Sequence, residues 1–299
     1  MTSTEKVDQH FLPKFYQKRF VLKGEYWVYD IAKQHLSRES PKYTATREHY
    51  NTLVDRDGNR DQTPEDELGK IESDAARVST KINDRATLTP KHREHLALFI
   101  AMQRLRGPDF HDDFSEIANI TWKSRLEVIM ADPDEAERLW KQAVSKGATS
   151  DTMTFAEARE IFLSDDFKVT AHRNAVLEFM FKEATGLASV LLAMNWHILC
   201  APESDHFVTC DKPLVVTPPK GASPYRGCGI GTPGAWKTFP LSLTRCLLIT
   251  GLGTHCDYHS VNSETVRCIN LNTCHNASGF ISAGSHTNSH SLSEQWFRA

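Results

Sequence analysis

Among the 299 residues of this chain, His10, Glu72, Gln103, Arg106 and Asp211 have the side-chain types of a hydrolytic or phosphodiester-cleaving site. A histidine titrates near neutrality and can carry a proton. The two carboxylates suit a general base or a divalent cation, and a guanidinium suits a developing anion. His10 stands in "DQHFLPKFYQKRF", three residues before Pro13; its plainer role would be to tether the first strand through a backbone hydrogen bond. Gln103 follows Phe99 by four residues and Arg106 follows it by seven, so both polar groups project from the apolar side of one helix. An unpaired buried charge is costly, so this pair requires partners. Glu72 is one such partner, and a Glu72–Arg106 clamp between adjacent helices competes evenly with a substrate contact. Asp211 precedes Lys212-Pro213 at a strand end, where an aspartate either caps turn amides or presents its carboxylate to a ligand.

Other clusters carry weaker chemistry. Lys14, Lys18, Arg19 and Lys23 are interleaved with Asp8, Glu25 and Asp30, the pattern of a mixed, solvated face. "THCDYH" (His255, Cys256, His259) and "CHN" (Cys274, His275) bring soft metal ligands together. Cys-x-x-Cys pairs are absent, and the spacing of His255 and His259 calls for a helix that the Gly-rich surroundings do not suggest, so zinc is not expected there. A divalent cation remains compatible with the carboxylates of the five-residue set. "GCGIGTPGAW" lacks both a strand-then-helix frame and a following Lys-Ser/Thr, and reads as a loop rather than a phosphate cradle. No Gly-x-Ser-x-Gly elbow marks a nucleophile.

The elements that must position these groups differ along the chain. Charged side chains thin out after residue 200, where Gly and Pro become frequent, the punctuation of short strands and turns. Before that boundary, Thr63-Pro64 opens an amphipathic helix with Leu68, Ile71, Ala75, Val78 and Ile82 on one stripe. Thr89-Pro90 opens a second helix that Gly107-Pro108 stops. Thr154 and Glu157 form a capping box at the head of a third. Residues 169–194 are apolar on most faces and predict a central buried helix. "GEYWVYDIA", "WHILCA", "HFVTCD", "PLVVT", "RCLLITG", "TVRCINL" and "ASGFISA" predict strands. The expectation is one α+β domain over residues 1–299: strands and a loop over 1–60, a helical region over 61–195 and a β-rich region over 196–299. The helical middle packs on a largely antiparallel sheet built from both termini.

The order "QHFLPKFYQKRF", "YWVYD", "LGKIE", "MQRLRGP", "FVTCDKPLVV", "FPLS" and "INLN" resembles the family called domain of unknown function 4238, over nearly the whole chain. Where that family's pattern places Thr-Ser-Asp-Asn-Pro, this chain has Thr209, Cys210, Asp211, Lys212 and Pro213. The resemblance implies a single-domain fold and brings no activity with it, so function rests on the site.

The formal charge of −3 gives no global cationic field for a polyanion, and a nucleic acid would need a local basic patch. No apolar run reaches the about 18–20 residues of a membrane span, and the start lacks a signal-peptide core, so the expected location is cytoplasmic with no membrane partner. Seven cysteines, an odd number, fit reduced thiols. Two functions follow as expectations: a hydrolase- or nuclease-like effector acting on nucleic-acid phosphodiesters, and a non-catalytic binding or regulatory module in which the same polar residues are structural.

Overall fold

The computed structural model describes residues 6–55, 57–147, 153–164, 167–222 and 227–285, and the chain divides into two compact units: residues 1–108 with 177–299, and residues 109–176. In the first unit, β1 (Asp8–His10) leads through Pro13 into the single turn α1 (Lys14–Gln17) and a 3-10 turn, Lys18–Phe20. A hairpin follows, β2 (Trp27–Asp30) and β3 (His35–Arg38), and then three short strands, β4 (Thr46–Glu48), β5 (Leu53–Val54) and β6 (Arg60–Asp61). Two helices come next. Helix α2 (Thr63–Asn83) buries Leu68, Ala75, Val78 and Ile82 and starts with Pro64 in its first turn; α3 (Pro90–Arg106) is capped by the Thr89 side chain, which accepts from His92 N. Helix α3 begins as Thr89-Pro90 predicts, whereas α2 takes Thr63 as its first helical residue behind Gln62 and has no side-chain cap, since the Thr63 hydroxyl donates to Asp61 Oδ1.

The second unit holds α4 (Pro108–Met130), α5 (Pro133–Ser145), α6 (Phe155–Ser164) and the start of α7 (Arg173–Leu192). Gly107-Pro108 does stop α3, but Pro108 also opens α4 without an intervening loop, because a proline is tolerated in a first helical turn. Asp132 caps α5 by accepting from Asp134 N and Glu135 N, and the Thr154–Glu157 capping box heads α6. Helix α4 leaves Ile117, Ile120, Trp122 and Val128 exposed. Helix α7 is not buried all round as its composition predicts: Leu177, Met180, Ala184, Ala188 and Leu191 form a buried stripe while Phe179 and Val190 stay exposed.

The first unit resumes with β7 (Met194–Cys200), β8 (Thr209–Cys210), β9 (Val215–Thr217), β10 (Trp236–Ser242), β11 (Arg245–Leu252), β12 (Cys256–Ser260), α8 (Ser263–Asn276) and β13 (Phe280–Ala283). "TVRCINL" lies in α8 and not in a strand. Asn262 accepts from Thr265 N as the cap, and Val266, Ile269, Asn270, Thr273 and Cys274 recur at helical spacing on the buried side. Two main sheets form. A five-stranded sheet runs β12-β7-β11-β10-β9, antiparallel except for the parallel edge pair β12–β7. A four-stranded antiparallel sheet, β3-β2-β13-β8, joins the amino-terminal hairpin to the carboxy-terminal strands. The fold is α+β, with its antiparallel strands drawn from both ends of the chain.

The opening segment is welded into this frame by aromatic rings. Tyr16 packs against Phe20, Phe99 of α3 and Phe239 of β10 at centroid separations of 5.2, 6.1 and 5.4 Å. The buried Tyr16 hydroxyl donates to the Pro240 carbonyl and contacts Thr209 Oγ1. The glycine-rich segment after residue 227 is a loop, with Gly229 N donating to Thr232 Oγ1 in a turn. All seven cysteines are free. Among the described residues, no helix is long and apolar enough to cross a membrane.

Candidate functional site

Two of the five sequence-selected residues, Gln103 and Arg106, bond one backbone carbonyl, that of Phe11; Glu72 joins them through Arg106, and His10 precedes Phe11 in the chain. Strand β1 pairs with β4, and as the chain leaves it the Phe11 carbonyl turns toward α3. That oxygen accepts Arg106 Nε at 3.0 Å and Gln103 Nε2 at 3.2 Å. Arg106 Nη2 donates to Gln103 Oε1 at 2.6 Å, and Nη1 donates to Glu72 Oε1 at 2.8 Å. The guanidinium is 1% exposed, so each of its three donor nitrogens is engaged by the protein itself. Glu72 comes from α2, the helix that packs beside α3, and stays at the rim with a quarter of its side chain exposed. The residue before His10 contributes to the same seam: Gln9 Nε2 donates to Thr52 Oγ1 and its side-chain Oε1 accepts from Asn51 N.

His10 is half-buried, and its Nε2 donates to the Pro41 carbonyl at 3.0 Å, which fixes the proton on that nitrogen. Burial pushes its pKa below the usual value; the Pro41 bond and Glu72 oppose that shift, and Arg106 and Lys14 add to it. The ring is therefore neutral at neutral pH. Glu65, which the sequence did not single out, lies near this group. Burial raises its pKa, and Asn51 Nδ2 donates to it at 2.9 Å.

Asp211 bonds elsewhere. At the end of β8 its Oδ1 accepts Ser278 N at 3.1 Å and its Oδ2 accepts Gly279 N at 2.9 Å, tying β8 to the turn between α8 and β13. The carboxyl is 7% exposed, and burial raises its pKa against the opposing pull of the two amides. Of the two roles open to it in the sequence, the structure displays the amide cap.

The family model described as "Protein of unknown function (DUF4238)" matches residues 8–287. The chain belongs to the DUF4238 family. No curated protein and no solved structure matches it. In this DUF4238 chain the segments that carry the resemblance converge in space: the opening stretch, Gln103 and Arg106 of "MQRLRGP", Thr209 of "FVTCDKPLVV" and Pro240 of "FPLS" are linked through Phe11 and Tyr16.

A second polar group of the DUF4238 chain was passed over by the helical test of its spacing. His255, Asp257 and His259 belong to a strand and the residue before it, so a spacing of two places all three on one face, while Cys256 points to the other. Asp257 is in register with His197 of β7. Its Oδ1 lies 2.9 Å from His197 Nδ1 and 2.8 Å from His259 Nε2, and its Oδ2 lies 2.8 Å from His255 Nε2. Burial would raise the Asp257 pKa, but the hydrogen bonds from the three histidines outweigh it and hold the carboxyl at about 2. Strand alternation was the sequence signal that could have found this group. Beside it, Leu88, Pro90, Arg93, Glu94, Asn195 and His255 help to line an open cleft of about 820 Å³.

Proposed function

We propose that this protein is a non-catalytic binding or regulatory module whose motif residues are structural. The observation that supports this reading is the burial of Arg106: at 1% exposure, with an N–H on each of its three nitrogens given to Phe11, Glu72 or Gln103, the guanidinium presents no open face to a substrate anion. Asp211 supports it too, since both carboxylate oxygens accept backbone amides. A cytoplasmic location accords with the seven free thiols.

One observation favours the hydrolytic reading, with a nucleic-acid phosphodiester as substrate. His10 and Glu72 are both part-exposed beside Arg106, and a neutral histidine is competent as a base. One experiment separates the two. Purified protein incubated with single- and double-stranded DNA and RNA in Mg²⁺, Mn²⁺ or Zn²⁺ should leave every substrate intact. Cleavage that disappears in His10→Ala at unchanged melting temperature would overturn the structural reading.

A further inference from the structure

One face of the five-stranded sheet carries two different surfaces. Toward α8, Leu199 and Cys246 bury against Phe207, Val266 and Ile269. Farther along, the same face carries His197 of β7, Thr250 of β11, and the row of His255, Asp257 and His259 in and just before the edge strand β12. The side chains there are partly open to water: 24% for His197, 31% for Asp257, 48% for His259 and 64% for His255.

His197 Nδ1, Asp257 Oδ1 and His259 Nε2 form a triangle with edges of 2.9, 2.8 and 3.2 Å. An ion bonded to three such atoms at about 2.0–2.1 Å spans edges of about 2.9 Å on an octahedral face and about 3.3 Å on a tetrahedral one. The triangle therefore matches three ligands at roughly right angles, the two-histidine, one-carboxylate arrangement that leaves the opposite positions open.

The partners outside the triangle point the same way. His197 Nε2 lies 3.2 Å from Thr250 Oγ1, a contact in which the ring can carry its proton on Nε2 and turn the Nδ1 lone pair to the centre of the triangle. His255 holds the other oxygen of Asp257. Outer hydrogen bonds of this kind fix the tautomer of a ligating histidine and the orientation of a ligating carboxylate. In the metal-free chain Nδ1–H donates to Asp257 Oδ1. Moving that proton to Nε2, toward Thr250, frees the Nδ1 lone pair for a cation at the centre, which then meets three donor atoms already at bonding separation.

We propose that His197, Asp257 and His259 form a three-ligand site for a divalent transition-metal ion, with Thr250 and His255 as positioning residues. Two imidazoles and one carboxylate select the zinc, iron, cobalt and nickel class over Mg²⁺ and Ca²⁺, which favour oxygen donors. The open positions face solvent next to the cleft that His255 also lines, so the ion has room for water or a small anionic ligand. The site stands whether the motif residues are structural or catalytic.

The test is titration of the chelator-stripped full-length chain with Zn²⁺ by calorimetry, and with Co²⁺ by its visible spectrum. The expected result is one ion per chain, unaffected by millimolar Mg²⁺. His259→Ala and Asp257→Asn should each weaken Zn²⁺ binding about a hundredfold or more, and Thr250→Val and His255→Gln by a smaller factor, on the order of tenfold. Cys228→Ser, Cys256→Ser and Cys268→Ser, which remove the three thiols that are not buried, should leave the affinity unchanged. His259 is exposed on an edge strand, so its variant should retain the wild-type circular dichroism. Absence of stoichiometric binding, binding that persists in His259→Ala, or binding lost in a cysteine variant would each overturn the proposal. Nucleic-acid cleavage lost in His197→Ala but kept in His10→Ala would uphold the metal site while overturning the non-catalytic reading above.

Discussion

The Arg106 cluster and the His197 cluster are both knots of charged and polar side chains, yet they are finished in opposite ways. Around Arg106, donors and acceptors come from α2, α3 and the segment after β1, and the guanidinium is sealed from water. Around Asp257, three histidines from two neighbouring strands of one sheet face share a single carboxylate, Thr250 of a third strand holds one of them, and the side chains of Asp257 and the three histidines remain in contact with solvent. The first knot answers a requirement of folding, because a charge brought into the interior by the helix register must find every partner inside. No such requirement forces the second, since exposed histidines hydrate at little cost. The convergence of His197 and His259 on one oxygen of Asp257 is what points to a ligand.

The largest effect expected from this difference is on stability. Arg106→Met should cost about 3–5 kcal/mol, because it removes the partner of Glu72 and of Gln103 Oε1 and leaves the Phe11 carbonyl to Gln103 alone. Urea unfolding of the variant measures it. A double-mutant cycle with Glu72→Gln should show strong coupling between the two positions. A loss below about 1 kcal/mol would erase the contrast, by placing the buried knot among surface pairs.

Asp211 should give an intermediate effect. Asp211→Ala leaves the Ser278 and Gly279 amides without their acceptor, at a cost of about 1–3 kcal/mol. Its pH signature has a definite sign. Burial raises the folded pKa above the unfolded value of 3.8, so the folded state binds the proton more tightly. The associated stabilisation is complete below the unfolded value and is lost as pH rises through the folded one. Compared with Asp211→Asn, the wild type should therefore gain relative stability on acidification through that window, which thermal melts over acidic pH would show. A wild type that loses relative stability there would mean that the two amides, and not burial, dominate this carboxyl.

How much of this was legible in the sequence depended on whether the signal was local. Thr89-Pro90 and the Thr154–Glu157 box gave their helix starts because capping is settled within one turn, and Pro64 marked the first turn of α2 although Thr63 lies inside that helix and does not cap it. Gln103 and Arg106 declared a buried polar pair through helical phase alone, and Glu72 was readable as their partner. Other features were not local. Helix α8 was read as a strand because "TVRCINL" is rich in residues that suit either state, and its choice was made by burial of Val266 and Ile269 against Leu199 and Cys246. Arg93 gave no sign that it would serve as a buried tie: its guanidinium stacks on Trp196 and donates to the carbonyls of Met194 and Thr254, both about a hundred residues or more away. His255 and His259 were tested against the wrong period. Only the parallel pairing of β12 with β7, which brings Asp257 level with His197, turns that row into a site.

The smallest predicted effect is the one that most sharpens the comparison. In metal-free protein, His259→Ala should change unfolding free energy by no more than about 0.5 kcal/mol, because an exposed pair contributes little and the partners left behind can hydrate. His259 is nearly half exposed, and Asp257 keeps its contacts with His197 and His255 when it is removed. With Zn²⁺ added in excess, the two proteins should separate. A ligand that binds the folded chain stabilises it in proportion to the logarithm of its saturation, about 2.7 kcal/mol at one hundred times the dissociation constant, and the variant should gain less. Paired denaturation curves with chelator and with Zn²⁺ read both quantities from the same samples. A loss of about 2 kcal/mol or more without metal would mean that the histidine face is a structural seam like the one at Arg106, since only groups that cannot reach water are worth that much at a single position.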